Sequence, residues 1–205
     1  MFLLHLPGWL EKTDRELFSF IHADASSPYL DWLMMAMRNP PIWIPLYAFI
    51  LYWIIKRHKQ FAWPFILLSL VSFAITDFVS ASLLKPFFAR PRPCYDPELT
   101  AILRNLIGCG GRYGLPSSHA SNHFGLAAFW FLTVAHISGR KWYWLWLWAI
   151  LVCYAQVYVG KHYPFDILVG AVLGIAVGSL MAFLFRRWTK KPEKDNRVVS
   201  MWESK

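Results

Sequence analysis

Long apolar runs broken by short polar clusters dominate the chain, and their length reads as membrane spans rather than as core elements of a soluble domain. Five such segments stand out. The first, Ile42 to Ile55, is short unless turns from Tyr29 to Met37 extend it across the Pro40-Pro41 break. The second, Phe61 to Leu84, places Pro64 in its first turn, where a missing amide is tolerated, and carries one acid, Asp77. The third covers Ser118 to Ile137, the fourth Trp142 to Val159 and the fifth Ile167 to Phe185. Each approaches the ~20 residues that ~30 Å of hydrocarbon requires. The pattern predicts an all-α, polytopic transmembrane helix bundle of five to six spans.

Upstream, Trp9 to Phe20 sets Trp9, Leu10, Leu17, Phe18 and Ile21 against Glu11, Lys12, Asp14, Arg15 and Glu16. This is an amphipathic helix, lying in the membrane interface or packed against the bundle. The opening MFLLHLPGWL lacks a basic start and meets Pro7 after six residues, too short for a signal core, so the first span is expected to direct insertion. Residues 1–190 read as one membrane-embedded domain. Residues 191–205, polar and interrupted by Pro192, read as a disordered basic tail.

Composition sharpens this picture. Hydrophobic residues make up 57% of 205, with 12 Trp, more than a soluble core of that size needs. A formal net charge of +9 raises nucleic acid as a partner, but the basic residues form short clusters between apolar runs rather than a continuous face, so that class is set aside. Lys56, Arg57 and Lys59 fill one turn, Arg140 and Lys141 another, and Arg186, Arg187, Lys190, Lys191 and Lys194 follow the last span. The positive-inside bias makes these segments, the C-terminus included, cytoplasmic in a cell (inner) membrane. The connections Lys85 to Pro116 and Gly160 to Asp166 then face the periplasm or outside, and they hold nearly every residue capable of chemistry.

Three elements carry that chemistry. Lys85 and Arg92-Pro93 lie seven positions apart at the end of the second span, where two helical turns would put both cations on one side. Taken alone they are also consistent with snorkelling interfacial charges, but the prolines stiffen the backbone, and an arginine fork suits phosphate oxygens. Pro116-Ser117-Ser118-His119 opens the third span, so free amides and hydroxyls of a helix N-terminus could meet an anion beside His119; a simple serine cap with His119 and His123 on one face fits equally. Gln156, Lys161, His162 and Asp166 cross from the fourth span to the fifth, with His162 and Asp166 four apart. At that spacing a carboxylate can hold one imidazole nitrogen and leave the other as a nucleophile.

In this order the elements resemble the type 2 phosphatidic acid phosphatase superfamily, whose members carry Lys, six residues, Arg-Pro; then Pro-Ser-Gly-His; then Ser-Arg, five residues, His, three residues, Asp. Lys85, Arg92-Pro93, Pro116-Ser117, His119, His162 and Asp166 match at the family's internal spacings. The resemblance implies a membrane hydrolase that removes a phosphate or diphosphate from a phospholipid or isoprenoid lipid, whether isoprenoid diphosphate, phosphatidylglycerol phosphate, phosphatidic acid or a lipid A type, with no cofactor and no metal. It implies that Lys85, Arg92, Ser117 and the Ser118 amide bind phosphate, that His162 attacks phosphorus while Asp166 orients it, and that His119 protonates the leaving oxygen. Haloperoxidases of the same superfamily are soluble, which disfavours that activity here.

Two departures bear on the chemistry. Ser118 replaces the family glycine, harmless provided the backbone there needs no positive φ. Ala155-Gln156 stands where the family has Ser-Arg, and glutamine donates hydrogen bonds without charge, so the site lacks one of its main cations. Lys161 or Arg112 would be positioned to compensate; otherwise the chain is a catalytically impaired relative that binds or moves phospholipids. Cys94 and Cys109 share the outward connection, which Gly108, Gly110 and Gly111 allow to turn back, and would form a disulfide in an oxidising compartment if their geometry permits. Asp77 reads as an interhelical hydrogen-bonding residue or as the partner of a buried cation.

Overall fold

A computed structural model of the protein describes residues 6–190; the tail expected at 191–205 lies outside the described residues. The regular elements of the described residues are all helices, with one isolated antiparallel bridge between Pro91 and Tyr113 in the long connection before the sixth of them. In chain order the helices are α1 (Gly8–Ser19), α2 (Pro28–Met37), α3 (Ile44–Arg57), α4 (Lys59–Phe78), α5 (Lys85–Phe88), α6 (Ser118–Ser138), α7 (Trp144–Tyr158) and α8 (Pro164–Thr189).

Two of these are long and apolar enough to cross a bilayer unaided. α4 continues through wider π-type turns at Val79–Leu84 into α5, a rod of 30 residues, and α8 has 26. At 1.5 Å per residue these reach about 45 and 39 Å. α3 and α7, at 14 and 15 residues, are shorter, and α6, at 21, is long but begins with polar residues. Leu70, Phe78, Leu168, Val172, Leu180 and Phe183 face outward from the long helices, an apolar exterior that belongs against lipid. The Trp excess is partly internal: Trp53, Trp130 and Trp148 are buried with Phe129 and Phe185, and Trp130 stacks on Trp148 at 5.6 Å.

Helix ends follow local chemistry, with two departures from expectation. Ser27 caps α2 by accepting from the Leu30 amide, with Pro28 at its first position, and Gly139, at φ 70°, ends α6. α4 begins two residues earlier than the apolar run suggests, at Lys59, so Pro64 lies in its second turn and leaves the Gln60 carbonyl without its usual intrahelical donor. α5 stops at Phe88, and Ala89 adopts a left-handed conformation at φ 50°. Arg92 is therefore not two turns further along the helix that carries Lys85. It reaches the same region from the following loop.

The tightest helix pair is set by small residues. Gly170, Gly174 and Gly178 form a stripe along α8, and a side chain on any of them would overlap the α6 backbone at Ser117, Ser121 or Gly125. Such close approach brings the α8 N-terminus onto the α6 N-terminus, where the Ser117 amide donates to the Asp166 carbonyl at 3.0 Å. Asp77 joins the same region as an interhelical residue. Its Oδ1 accepts from Asn122 Nδ2 at 3.0 Å, and Asn122 Oδ1 accepts from Thr76 Oγ1 at 2.8 Å.

α1 turns a different face inward than its polarity suggests. Asp14 and Phe18 on α1 are buried, as is His22 in the π turn Phe20–Asp24, while Trp9, Leu17 and Phe20 remain exposed. The helix thus packs on the bundle through one stripe and keeps an apolar stripe outward, the disposition suited to an interface. His22 Nδ1 donates to the Tyr158 carbonyl at 2.7 Å and its Nε2 accepts from the Arg104 amide at 2.9 Å, which fixes the neutral tautomer.

Candidate active site

The motif residues gather at one end of the bundle. Lys85 Nζ donates to Ser118 Oγ at 2.9 Å, and Ser80 Oγ donates to the same hydroxyl at 2.9 Å. Ser118 opens α6 with ordinary helical backbone, so serine takes the family's glycine position without left-handed strain. Ser117 is the α6 cap, fully buried, its hydroxyl accepting from the Ala120 amide.

Arg92 is held by the backbone rather than by acids. Its amide donates to the Arg112 carbonyl at 3.0 Å, its Nε to the Tyr113 carbonyl at 3.2 Å, and its Nη1 lies 3.5 Å from the Lys161 carbonyl. The guanidinium is thereby aimed while its charge is left uncancelled. His119 lies next to Ser118, its charge environment shared with His162 and Lys85, and its carbonyl accepts from His123 Nδ1 at 2.8 Å.

His162 is 2% exposed and sits in the turn between α7 and α8. Gly160 makes that turn possible with φ 83° and its Cα against the His22 ring, where a side chain would collide. His162 Nδ1 lies 3.4 Å from Asp166 Oδ2, longer than a formed hydrogen bond, and Nδ1 has no other acceptor. Histidine–carboxylate contacts of this kind often tighten only when a ligand binds. Burial draws the His162 pKa below its ordinary value, against the opposing pull of Asp166, so the ring is neutral near pH 7.

Asp166 is anchored on every side. Its Oδ1 accepts from Arg90 Nη1 at 2.7 Å and its Oδ2 from the Tyr163 amide at 3.1 Å, the reciprocal half of a cap on α8. Arg90 also donates to Asp14 Oδ2 at 2.6 Å, and Asp14 Oδ1 accepts from the Phe165 amide at 2.8 Å. α1 thus supplies a second carboxylate at the α8 N-terminus, where amides and the helix dipole favour negative charge. Burial works against the Arg90 charge, but Asp166 and Asp14 more than offset it and hold the pKa above the ordinary value. Sequence reasoning missed Arg90 and Asp14. The one available signal was Arg90 inside the Lys85 to Arg92 motif, two residues from an arginine already singled out.

The compensating cations considered from sequence have other surroundings. Lys161 Nζ donates to the Gly108 carbonyl, and the Arg112 side chain is exposed on the loop. Gln156 is 1% exposed, and its Nε2 has no acceptor among the described residues. Cys94 and Cys109 are joined as a disulfide, their Cα atoms 6.1 Å apart. Closing a loop of this length contributes roughly 3 kcal/mol in the chain-entropy picture. Reduction is expected to lower the melting temperature in detergent and to open the loop to protease, as should Cys94→Ser. Equal melting with and without reductant would show that the bridge does not restrain the loop.

Beside Ser118 and His119 lies a cavity of about 620 Å³, walled by Ile50 and Leu51 of α3, Phe65, Leu70 and Phe73 of α4, and Leu126 of α6. Leu51, Leu70 and Phe73 also face the exterior, so the cavity borders the lipid-facing surface.

An apolar-sided helix bundle that gathers histidines and basic side chains at one end suits a membrane hydrolase acting on phosphorylated lipid. Residues 62–190 match the PAP2 superfamily, and the chain belongs to that superfamily, among its membrane lipid phosphatases. It is 33% identical over 198 residues to a lipid A 4'-phosphatase of Bacteroides thetaiotaomicron, covering 93% of this chain and 84% of that protein. The crystal structure of Aquifex aeolicus LpxE aligns with a TM-score of 0.59 at 28% identity, over 82% of this chain and 93% of that one. A transmembrane PAP2 type phosphatidylglycerolphosphate phosphatase from Bacillus subtilis shares the fold, with a TM-score of 0.62 at 22% identity over 92% of this chain and 90% of that one.

Proposed function

We propose that the protein removes a phosphate from a lipid by in-line transfer to His162, and that a lipid A type 4'-phosphate monoester is its substrate. One observation carries the mechanism: Lys85 bonds to Ser118, and Ser117 bonds to Asp166, so three stretches far apart in sequence share one pocket. Lys85, Arg92, the Ser117 and Ser118 donors and Gln156 hold the phosphate oxygens. His162 Nε2 attacks phosphorus while Asp166 Oδ2 faces Nδ1, and His119 gives a proton to the departing lipid oxygen. Water then attacks the phosphohistidine with His119 as base, releasing phosphate and the free imidazole. The cavity beside His119 receives an acyl chain from the bilayer.

The lipid A assignment is supported by 33% identity along nearly the whole chain to a lipid A 4'-phosphatase. Residues 1–190 act as one domain in the inner membrane, with the site end facing the periplasm and the basic turns the cytoplasm. Phosphate release from detergent-solubilised lipid A, undecaprenyl diphosphate, phosphatidylglycerol phosphate and phosphatidic acid tests the reading. Lipid A is expected to give the highest kcat/KM, at least about tenfold above the others, a gap of ~1.4 kcal/mol in transition-state binding. A higher value for another lipid would replace the substrate assignment, and no release from any would favour a relative that only binds phospholipid.

A further inference from the structure

We propose that Arg38 is a phosphate-binding residue of the site, supplying from α2 the positive charge that the family carries on the fourth span where this chain has Gln156. The inference rests on the phosphatase reading above and deepens it. Its first support is packing. Met34 of α2 is buried against Ala155 and Tyr158 of α7 and Val159 just after it, with Met37 against the same cluster, so the α2 C-terminus is laid on the turn of α7 that bears Gln156. Arg38 is the residue that follows Met37, and its backbone amide still bonds back to the Met34 carbonyl at 3.2 Å. Asn39 is extended, Pro40 and Pro41 end the helix, and Trp43 Nε1 donates to the Met37 carbonyl at 2.7 Å, which pins the turn.

Placement of the side chain is the second support. Arg38 lines the cavity together with Ser118 and His119, and its charge acts on His119, Arg92 and Lys161. Its Nε is buried with no acceptor among the described residues, as is Gln156 Nε2. Other inward-facing arginines contrast with it: Arg15 pairs with Asp96 and Glu98, Arg90 with Asp14 and Asp166, and Arg104 with Asp31. Among the described residues Arg38 has no carboxylate within ion-pair distance, and Arg92 is held only by carbonyls. Asp77 also lines the cavity and accepts from Asn122, and Asp166 acts on Arg92 from beyond ion-pair distance, so the gathered basic groups outnumber the acids near them, which is unfavourable unless an anion fills the space between them. A phosphate monoester supplies about two negative charges and acceptor oxygens for the waiting donors. The glutamine is then no loss of function, because a second arginine at 156 would crowd the one already delivered from α2.

The test uses the full chain in detergent, with Arg38→Gln, Arg38→Lys, Gln156→Arg and the double variant Arg38→Gln/Gln156→Arg. Loss of one charge that stabilises the transition state predicts kcat/KM about 100-fold lower in Arg38→Gln. Arg38→Lys, which keeps charge without the fork, should lose about tenfold. The double variant should recover at least about tenfold over Arg38→Gln, since the charge returns from α7. Inorganic phosphate affinity, read by 31P line broadening, should weaken about tenfold in Arg38→Gln while the melting temperature holds, a pattern a merely structural residue would not give. Wild-type kcat/KM and phosphate affinity in Arg38→Gln would overturn the inference, even where His162→Asn abolishes turnover and the phosphatase reading stands. A wild type that binds phosphate through Arg38 yet releases none from any lipid would uphold the inference and fail the reading; a wild type that neither binds phosphate nor releases it from any lipid would overturn both.

Discussion

His162→Asn is expected to release phosphate from lipid at less than about one thousandth of the wild-type rate, while binding inorganic phosphate nearly as well. Asparagine is close to the imidazole in size but has no lone pair capable of displacing an alkoxide from phosphorus, so the covalent route closes and leaves only what the cations contribute. A drop of this size corresponds to about 4 kcal/mol of barrier. Folding should survive. The turn is made by Gly160, and the cap on α8 uses the Tyr163 amide and Asp166, neither of which needs the ring. Quenching wild type in alkaline detergent with lipid labelled at phosphorus should trap phosphoprotein that is stable to base and labile to acid, and His162→Asn should show none. The pH profile follows from the same burial. With the His162 pKa drawn below its ordinary 6.5, the ring stays neutral and nucleophilic through pH 7, so the acid limb of kcat/KM should fall below about pH 6.5. More than a tenth of wild-type turnover in His162→Asn would remove this residue as the nucleophile.

How far the sequence reveals this machine depends on how far apart the interacting residues lie along it. The long spans were legible because an apolar run of bilayer length has few other uses, and α6 and α8 follow the predicted segments closely. Ser117 as a helix cap was legible too, since capping is local chemistry. The faces of α1 were not. Polarity alone puts Asp14 outside, but the acid is buried because a guanidinium 76 residues away and an amide 151 residues away satisfy it, and no periodicity encodes such partners. The same holds for Arg38, which reads as the last charge before a proline break until α2 is seen packed on α7. Lys85 and Arg92 were expected along one helix; the left-handed Ala89 ends it, and the loop restores the proximity by another path. Motif spacing thus identified residues that converge without identifying the backbone that brings them together.

Arg90→Met is expected to cost about 3–5 kcal/mol of stability, the loss typical of breaking a buried ion pair from one side, and to depress turnover as well. Arg90 is 7% exposed and lies between Asp14, 3% exposed, and Asp166, fully buried, with its guanidinium 4.3 Å from the Tyr163 ring centre. Methionine fills much of the volume, so the damage comes from charge: two carboxylates remain in a desolvated space with only the α8 amides to face. One of them must take up a proton or turn toward solvent. Burial already pushes the Asp14 carboxyl up despite Arg90, which makes it the group that protonates first once the guanidinium is gone. Asp166 would lose the bond that fixes its Oδ1, and with it the orientation of Oδ2 toward His162, so the effect on turnover should appear in kcat more than in KM. Adding Asp14→Asn to Arg90→Met removes one of the stranded charges and should recover part of the melting temperature but little of the activity, because Asp166 stays unanchored. Thermal unfolding in detergent and lipid phosphate release on the same samples separate the two effects. An Arg90→Met protein that melts and turns over like the wild type would mean that α1 and its buried acid neither hold the α8 N-terminus nor position the carboxylate that faces His162.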